Sequence, residues 1–281
     1  MAINLSTAFV TLFDAEVKQA YQGQAQLRPA VRVRSGVEGS TYKFPKIGKG
    51  VAQVRIPQTD VTPLNVTYGS VTATLSDYIA AEYSDIFMQA KVNFDERAEL
   101  VKVVSGAIGR RQDQLIIDAL VAASTSNTVA SSVGGNNTNL NLDKLLAAKK
   151  ALDAKNVPMD NRHIFIHANN LSGLLGETKV TSSDFNSIKA LVNGELNTFL
   201  GFTFHTIGDR DEGGLPLSSG DRKVYAFHRD AIGMAEGIAP KTEINYIPEK
   251  TSFLVSSMFS AGAVAIDAEG IVEITCDENG A

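Results

Sequence analysis

The chain has 281 residues, 44% of them apolar, with 26 basic and 31 acidic side chains and a net charge of −5. That is enough apolar material for one large domain or two ordinary ones, so a disordered chain is excluded, and the acidic balance argues against a protein whose main role is gripping nucleic acid. The single cysteine, Cys276, excludes an intrachain disulfide and makes a reducing cytoplasm the expected compartment. No basic stretch followed by an apolar one opens the sequence, and no apolar run approaches the roughly 20 residues a bilayer requires, so neither a signal peptide nor a membrane is expected.

In chain order, Phe9, Leu12, Phe13, Val17, Ala20 and Tyr21 recur at helical spacing and meet Gly23, which predicts a short amphipathic helix over residues 6–21. A basic region follows. From Arg28 to Arg55 there are seven cations against Glu38 alone, about +6, which leaves about −11 for the remainder. Apolar residues in it are scattered among lysines and punctuated by Pro45, Gly48, Gly50, Pro57 and Pro63, a composition that cannot build its own core. The return limb alternates Val66, Tyr68, Val71, Ala73 and Leu75 with small polar residues, with a one-residue slip at Gly69 and Ser70. Together they predict a long two-stranded ribbon with a Gly/Pro-rich tip.

Asn93, followed by Asp95 and Glu96, predicts a capped helix start with acid in the first turn. Phe94, Ala98, Val101, Val104, Ile108, Leu115 and Ala119 continue the pattern to about residue 122, roughly 40 Å of helix. Gly106 and Gly109 inside it mark a bend or a close neighbour. The polar stretch STSNTVASSVGGNNTN is a candidate domain boundary. Beyond it come a helix over 143–155, a turn at Pro158, a strand over 162–167, helices over 169–176 and 184–193, and a strand over 199–207. The loop GDRDEGGLPLSSGDR and the strand KVYAFH complete an α+β unit. The runs TEINYI, SFLVSSMF, AVAID and IVEIT, separated by Pro248, Gly262 and Gly270, predict terminal strands.

No chemical motif survives inspection. Gly48 and Lys49 fail as a phosphate loop, because Gly50 stands where Ser or Thr would bind magnesium and no helix follows. His163 and His167 fall on a strand, about 13 Å apart, too far for one metal. His228, Arg229 and Asp230 are adjacent on a strand and point to opposite faces, so they form no triad. Asp209, Asp211 and Glu212 lack the calcium-loop spacing and read as a solvated loop, and Cys276 has no histidine close by in sequence. Tyr42, Lys43 and Phe44 have the composition of a single-strand nucleic-acid platform, but no second aromatic row accompanies them. No catalytic, cofactor or metal residue is therefore assigned.

The segments ALDAKNVPMDNRHIFIH (151–167), LSGLL (171–175), LGFTFHTIG (200–208), VYAFHRDAIGMAEG (224–237) and SGVEGSTYKFPKIG (35–48) together carry a resemblance over nearly the whole chain. The sequence resembles the major capsid proteins of tailed bacteriophages, the Hong Kong ninety-seven capsid fold shared with encapsulins and herpesvirus shell proteins. The resemblance implies an α+β architecture in four parts: an N-terminal arm (1–27), an extended β-ribbon loop (28–76), a peripheral domain (77–138 and 241–262) with a spine helix (94–122), and an axial domain (139–240 and 263–281). It implies a non-enzymatic subunit that self-assembles into an icosahedral shell around double-stranded DNA, as hexamers and pentamers, bound without sequence specificity. An encapsulin-like compartment is the alternative.

The ribbon would then pack on a neighbouring subunit rather than on its own core, through Tyr42, Lys43, Phe44, Lys46, Lys49, Arg55 and Ile56, and the arm would dock through Phe9 and Phe13. Asp209, Arg210, Asp211 and Glu212 would lie near the ring axis, and the helix would flex at Gly106 and Gly109. A separate scaffolding protein, a portal and a cement protein are the implied partners. The implied location is the virion, after assembly in the host bacterial cytoplasm. No covalent cross-link is carried over.

Overall fold

A computed structural model describes residues 25–61, 63–91, 95–135, 137–176 and 198–278. Its spine is α2 (Glu96–Val121), 26 residues and about 39 Å long. Asp95 caps it, its carboxylate accepting the N–H groups of Arg97 and Ala98, so the cap falls two residues beyond the predicted Asn93. A short helix, α1 (Ile86–Gln89), precedes it.

Two sheets meet α2. The first has the order β1 (Arg32–Ser35), β11 (Ile232–Ile247), β12 (Ser252–Ala265) and β4 (Ser76–Asp85). The second contains β5 (Thr128–Val129), β13 (Ile271–Asp277), β10 (Asp221–His228), β6 (Arg162–His167), β8 (Phe202–Ile207) and β7 (Thr198–Phe199) in that order, with β9 (Leu217–Ser218) pairing β10. Alternation along β10 explains why this sheet lies in the middle. Tyr225 and Phe227 face the core beneath α2 with Ile108, Ile116, Ile117 and Leu120. Val224 and Ala226 face a second core with Leu145, Ala148 and Leu152 of α3 (Leu142–Ala154) and Leu174 of α4 (Ala168–Gly176). Phe259 and Ala261 of the first sheet close the core beneath α2 from the other side.

The structure departs from the sequence reading at several places. The predicted strand over 199–207 is a hairpin, because Leu200 (φ 52°) and Gly201 (φ 85°) form a two-residue turn between β7 and β8. Gly262 breaks no strand. It sits inside β12, where a Cβ would lie 1.9 Å from the carbonyl oxygen of Thr74, so its missing side chain admits the neighbouring backbone. Divisions at 240/241 and 262/263 thus fall inside the continuous strands β11 and β12, and β5, assigned by sequence to the peripheral unit, pairs with β13 of the second sheet. The predicted helices over 6–21 and 184–193 lie outside the described residues.

Candidate assembly surfaces

The basic region forms the predicted ribbon. β2 (Thr41–Ile47) and β3 (Tyr68–Thr74) pair antiparallel from Thr41 opposite Thr74 to Ile47 opposite Tyr68. Their register is unbroken, so no slip occurs at Gly69 and Ser70. The pleat places Tyr42, Phe44 and Lys46 opposite Ala73, Val71 and Gly69 on one face, and Lys43, Pro45 and Ile47 on the other.

The root of the ribbon belongs to its own subunit. Phe44 is 1% exposed, in a small core with Ala73, Ala235 and Ile266, and Tyr42 meets its ring edge to face at 4.8 Å. The ring fills the space over Gly233, where a Cβ would come within 2.7 Å of it. Lys46 pairs with Asp267 at 2.9 Å and Lys49 with Glu269 at 2.7 Å, both acids in the turn before β13. The expectation that the ribbon packs only on a neighbour is therefore corrected at its root. Phe44 is satisfied at home because the strand-following turn at 267–270 and the glycine of β11 leave it a pocket. No sequence signal links Asp267 and Glu269 to lysines some 220 positions away.

Beyond the N–H of Gly48, which donates to Thr67 at 2.8 Å, the strands part. Val51, Val54, Ile56, Val61 and Leu64 are 52–93% exposed there, and Arg55 stands exposed among them. Lys43 is exposed as well. Five large aliphatic side chains on one protruding loop form an apolar surface that the subunit itself leaves in water. Phe9 and Phe13 lie outside the described residues.

The loop 209–214 is not a free solvated segment. Arg210 pairs with the fully buried Asp113 of α2 at 3.1 Å, and Glu212 pairs with Arg111 at 3.2 Å. Asp209, itself 77% exposed, accepts from Arg222 at 3.0 Å, and Asp211 is exposed. The sequence identified the loop but not its anchor, because a lone Asp in an amphipathic helix carries no mark of burial. Gly109 marks a close neighbour rather than a break: a Cβ there would sit 3.0 Å from that of Ala25, and α2 runs through both Gly106 and Gly109.

The remaining candidates are structural. His163 Nδ1 lies 3.1 Å from His205 Nε2, beside Phe165 and Phe227. Burial, then the neighbouring His205 and Arg229, push the His163 pKa down to about 4. His228 Nδ1 accepts the N–H of Asp230 and caps a turn. Cys276 is buried, and burial pushes its thiol up to about 12, so it is a core side chain and not a thiolate near neutrality.

This architecture of ribbon, spine helix and two sheets is shared with solved capsids. A capsid protein of the cyanophage P-SCSP1u superposes with a TM-score of 0.77 at 16% identity, over 98% of this chain and 95% of that one. The head of the Helicobacter pylori bacteriophage KHP40 gives 0.77 at 11% identity over 98% of each chain, and Mycobacterium phage Che8 gives 0.69 at 17% over 96% and 97%. The fold is the Hong Kong ninety-seven capsid fold. No curated protein matches the sequence. The profile of the phage capsid protein family matches residues 5–278, and the chain belongs to that family. It is a structural subunit of a phage shell, and its place is the virion.

Proposed function

We propose that the subunit is joined to its neighbours in hexamers and pentamers chiefly through the ribbon tip, residues 50–66, and that it encloses double-stranded DNA without reading its sequence and catalyses nothing. The observation that carries this is the five exposed aliphatic side chains of a loop whose root is anchored at home. An anchored root holds the tip away from the body, so its apolar surface is presented rather than collapsed, and burial against a second copy would supply association free energy at about 25 cal/mol per Å². Arg55 within it and the exposed Lys43 on the root strand would set register and partner choice on the acidic remainder of the next copy more than affinity. Many such contacts per subunit add up in a closed shell. Assembly in the host cytoplasm with a separate scaffolding protein and a portal, and a cement protein as an outer stabiliser, completes the reading.

The test is deletion of residues 50–64, joined through a short glycine linker. A folded subunit with an unchanged melting temperature that forms no particles by light scattering and negative-stain microscopy supports the role of the tip. Normal shells from that variant refute it.

A further inference from the structure

Asp113 stands in the C-terminal half of α2 and is fully buried. One carboxylate serves two segments far apart in sequence. Its oxygens accept the backbone N–H of Gln26 at 3.2 and 3.3 Å and that of Leu27 at 3.1 Å, and Oδ2 also accepts from Arg210 Nη1 at 3.1 Å. Both segments touch the same two turns of helix. On the arm side, Ala25 lies against Gly109, where a Cβ on the helix would come within 3.0 Å of that of Ala25. On the loop side, Gly213 donates its N–H to Gln114 Oε1 at 2.8 Å, and Glu212 pairs with Arg111. Gly213 has φ +80° and approaches so closely that a Cβ would lie 2.9 Å from the carbonyl oxygen of Arg110.

The energetics of such a node are not additive. A buried carboxylate is tolerated only while its lone pairs are filled, and removing one partner leaves a charge compensated by the other alone. Burial already pushes the Asp113 pKa up against all three of those donors, so the site holds little reserve. Loss of Arg210 would draw the carboxylate toward solvent and loosen its hold on Gln26 and Leu27, and loss of the arm root would do the reverse. We infer that Asp113 is a latch that makes the root of the N-terminal arm and the 209–214 loop open and close as one unit across the spine helix. The movement of either segment is thereby passed to the other, from the chain before the short 3-10 turn at Arg28–Ala30 to the loop that joins β8 to β9. The coupling itself does not rest on the shell reading; only its use during assembly does.

Amide hydrogen exchange on the full-length soluble subunit tests it, one segment being disturbed while the other is read. Arg210→Met should speed exchange at the Gln26 and Leu27 amides by about tenfold or more, and Gly109→Val should do the same at the Gly213 amide, with amides in the centre of β12 unchanged. Asp113→Asn, which keeps the shape, should speed all three together. Should Arg210→Met fail to fold, Arg210→Lys replaces it, since an ammonium loses the planar fork but keeps the charge. Variants that each disturb only their own segment overturn the latch, and so does acceleration that spreads equally into β12.

Discussion

The root and the tip of the ribbon have similar compositions and opposite fates. Both mix aliphatic or aromatic residues with lysine or arginine, proline and glycine. In the root, Phe44 is buried in its own subunit and Lys46 and Lys49 find acids on the turn before β13; in the tip, Val51, Val54, Ile56, Val61 and Leu64 stay exposed. The difference lies in what faces each. Gly233 and Gly262 of the first sheet let the root approach its own backbone, whereas the last ribbon backbone bond is at Gly48 and the last tether to the body at Lys49. An anchored root with an exposed tip is the arrangement that the proposed contact with a neighbour would use.

Substitutions can break that contrast, and the largest effect is expected at Gly262. A Cβ there meets the Thr74 carbonyl at 1.9 Å, so Gly262→Val should abolish soluble folded subunit. Gly50→Ala in the tip meets the flexible end of Leu64 at 3.2 Å and Val66 at an ordinary 3.6 Å, and should leave the melting temperature unchanged. Comparing the two by soluble yield and thermal melting tests whether root and tip differ as described; equal yields would erase the distinction.

Next in size is Phe44→Ala, which empties a closed pocket and should cost about 3–5 kcal/mol of subunit stability, read as a lower urea midpoint. Val54→Ser should leave that midpoint alone and reduce the yield of particles instead. A midpoint that responds equally to both substitutions would place the tip in the subunit's own core.

Acid should loosen the body before it loosens the ribbon root. His163, whose pKa is held down to about 4 by burial and by His205 and Arg229, takes up a proton more readily when unfolded, with an ordinary value near 6.5. Stability it supports is therefore fully present above about pH 6.5 and is lost as pH falls from there through 4. His163→Phe should flatten melting temperature against pH across that window; an unchanged slope would remove the histidine pair as a cause. Glu269, held below its usual range by Lys49, keeps its charge through most of the same window.

The smallest effect belongs to the tethers. Lys46→Ala breaks an exposed pair worth at most about 1 kcal/mol, so thermal melting should barely move. With Lys49→Ala added, limited proteolysis should nick the ribbon faster while the rest of the chain resists; unaltered proteolysis would mean that Phe44 alone holds the root.

Much of this was legible before folding. Helical spacing through Ile108 and Ala119 located the spine, and strand alternation located β6 and β10 nearly to the residue. The ribbon was visible in the proline, glycine and lysine of residues 41–63, and the family in segments spread along the chain. Partner choice was not legible. Asp113 carries no mark of burial in the sequence, and Gly262 reads as a strand break and Leu200 as mid-strand, because each is decided by atoms that arrive from elsewhere in the chain.

By itself the sequence determined the periodicities and the charge asymmetry between the ribbon and the rest, since these follow from residue order and local backbone geometry alone, and the resemblance carried by its segments implied the class of fold. Only the tertiary structure decided which half of the ribbon is kept at home and which is offered outward. It also decided that one buried carboxylate ties the arm root and the 209–214 loop to the same helix, because burial and pairing depend on distances between residues that sequence separation does not encode.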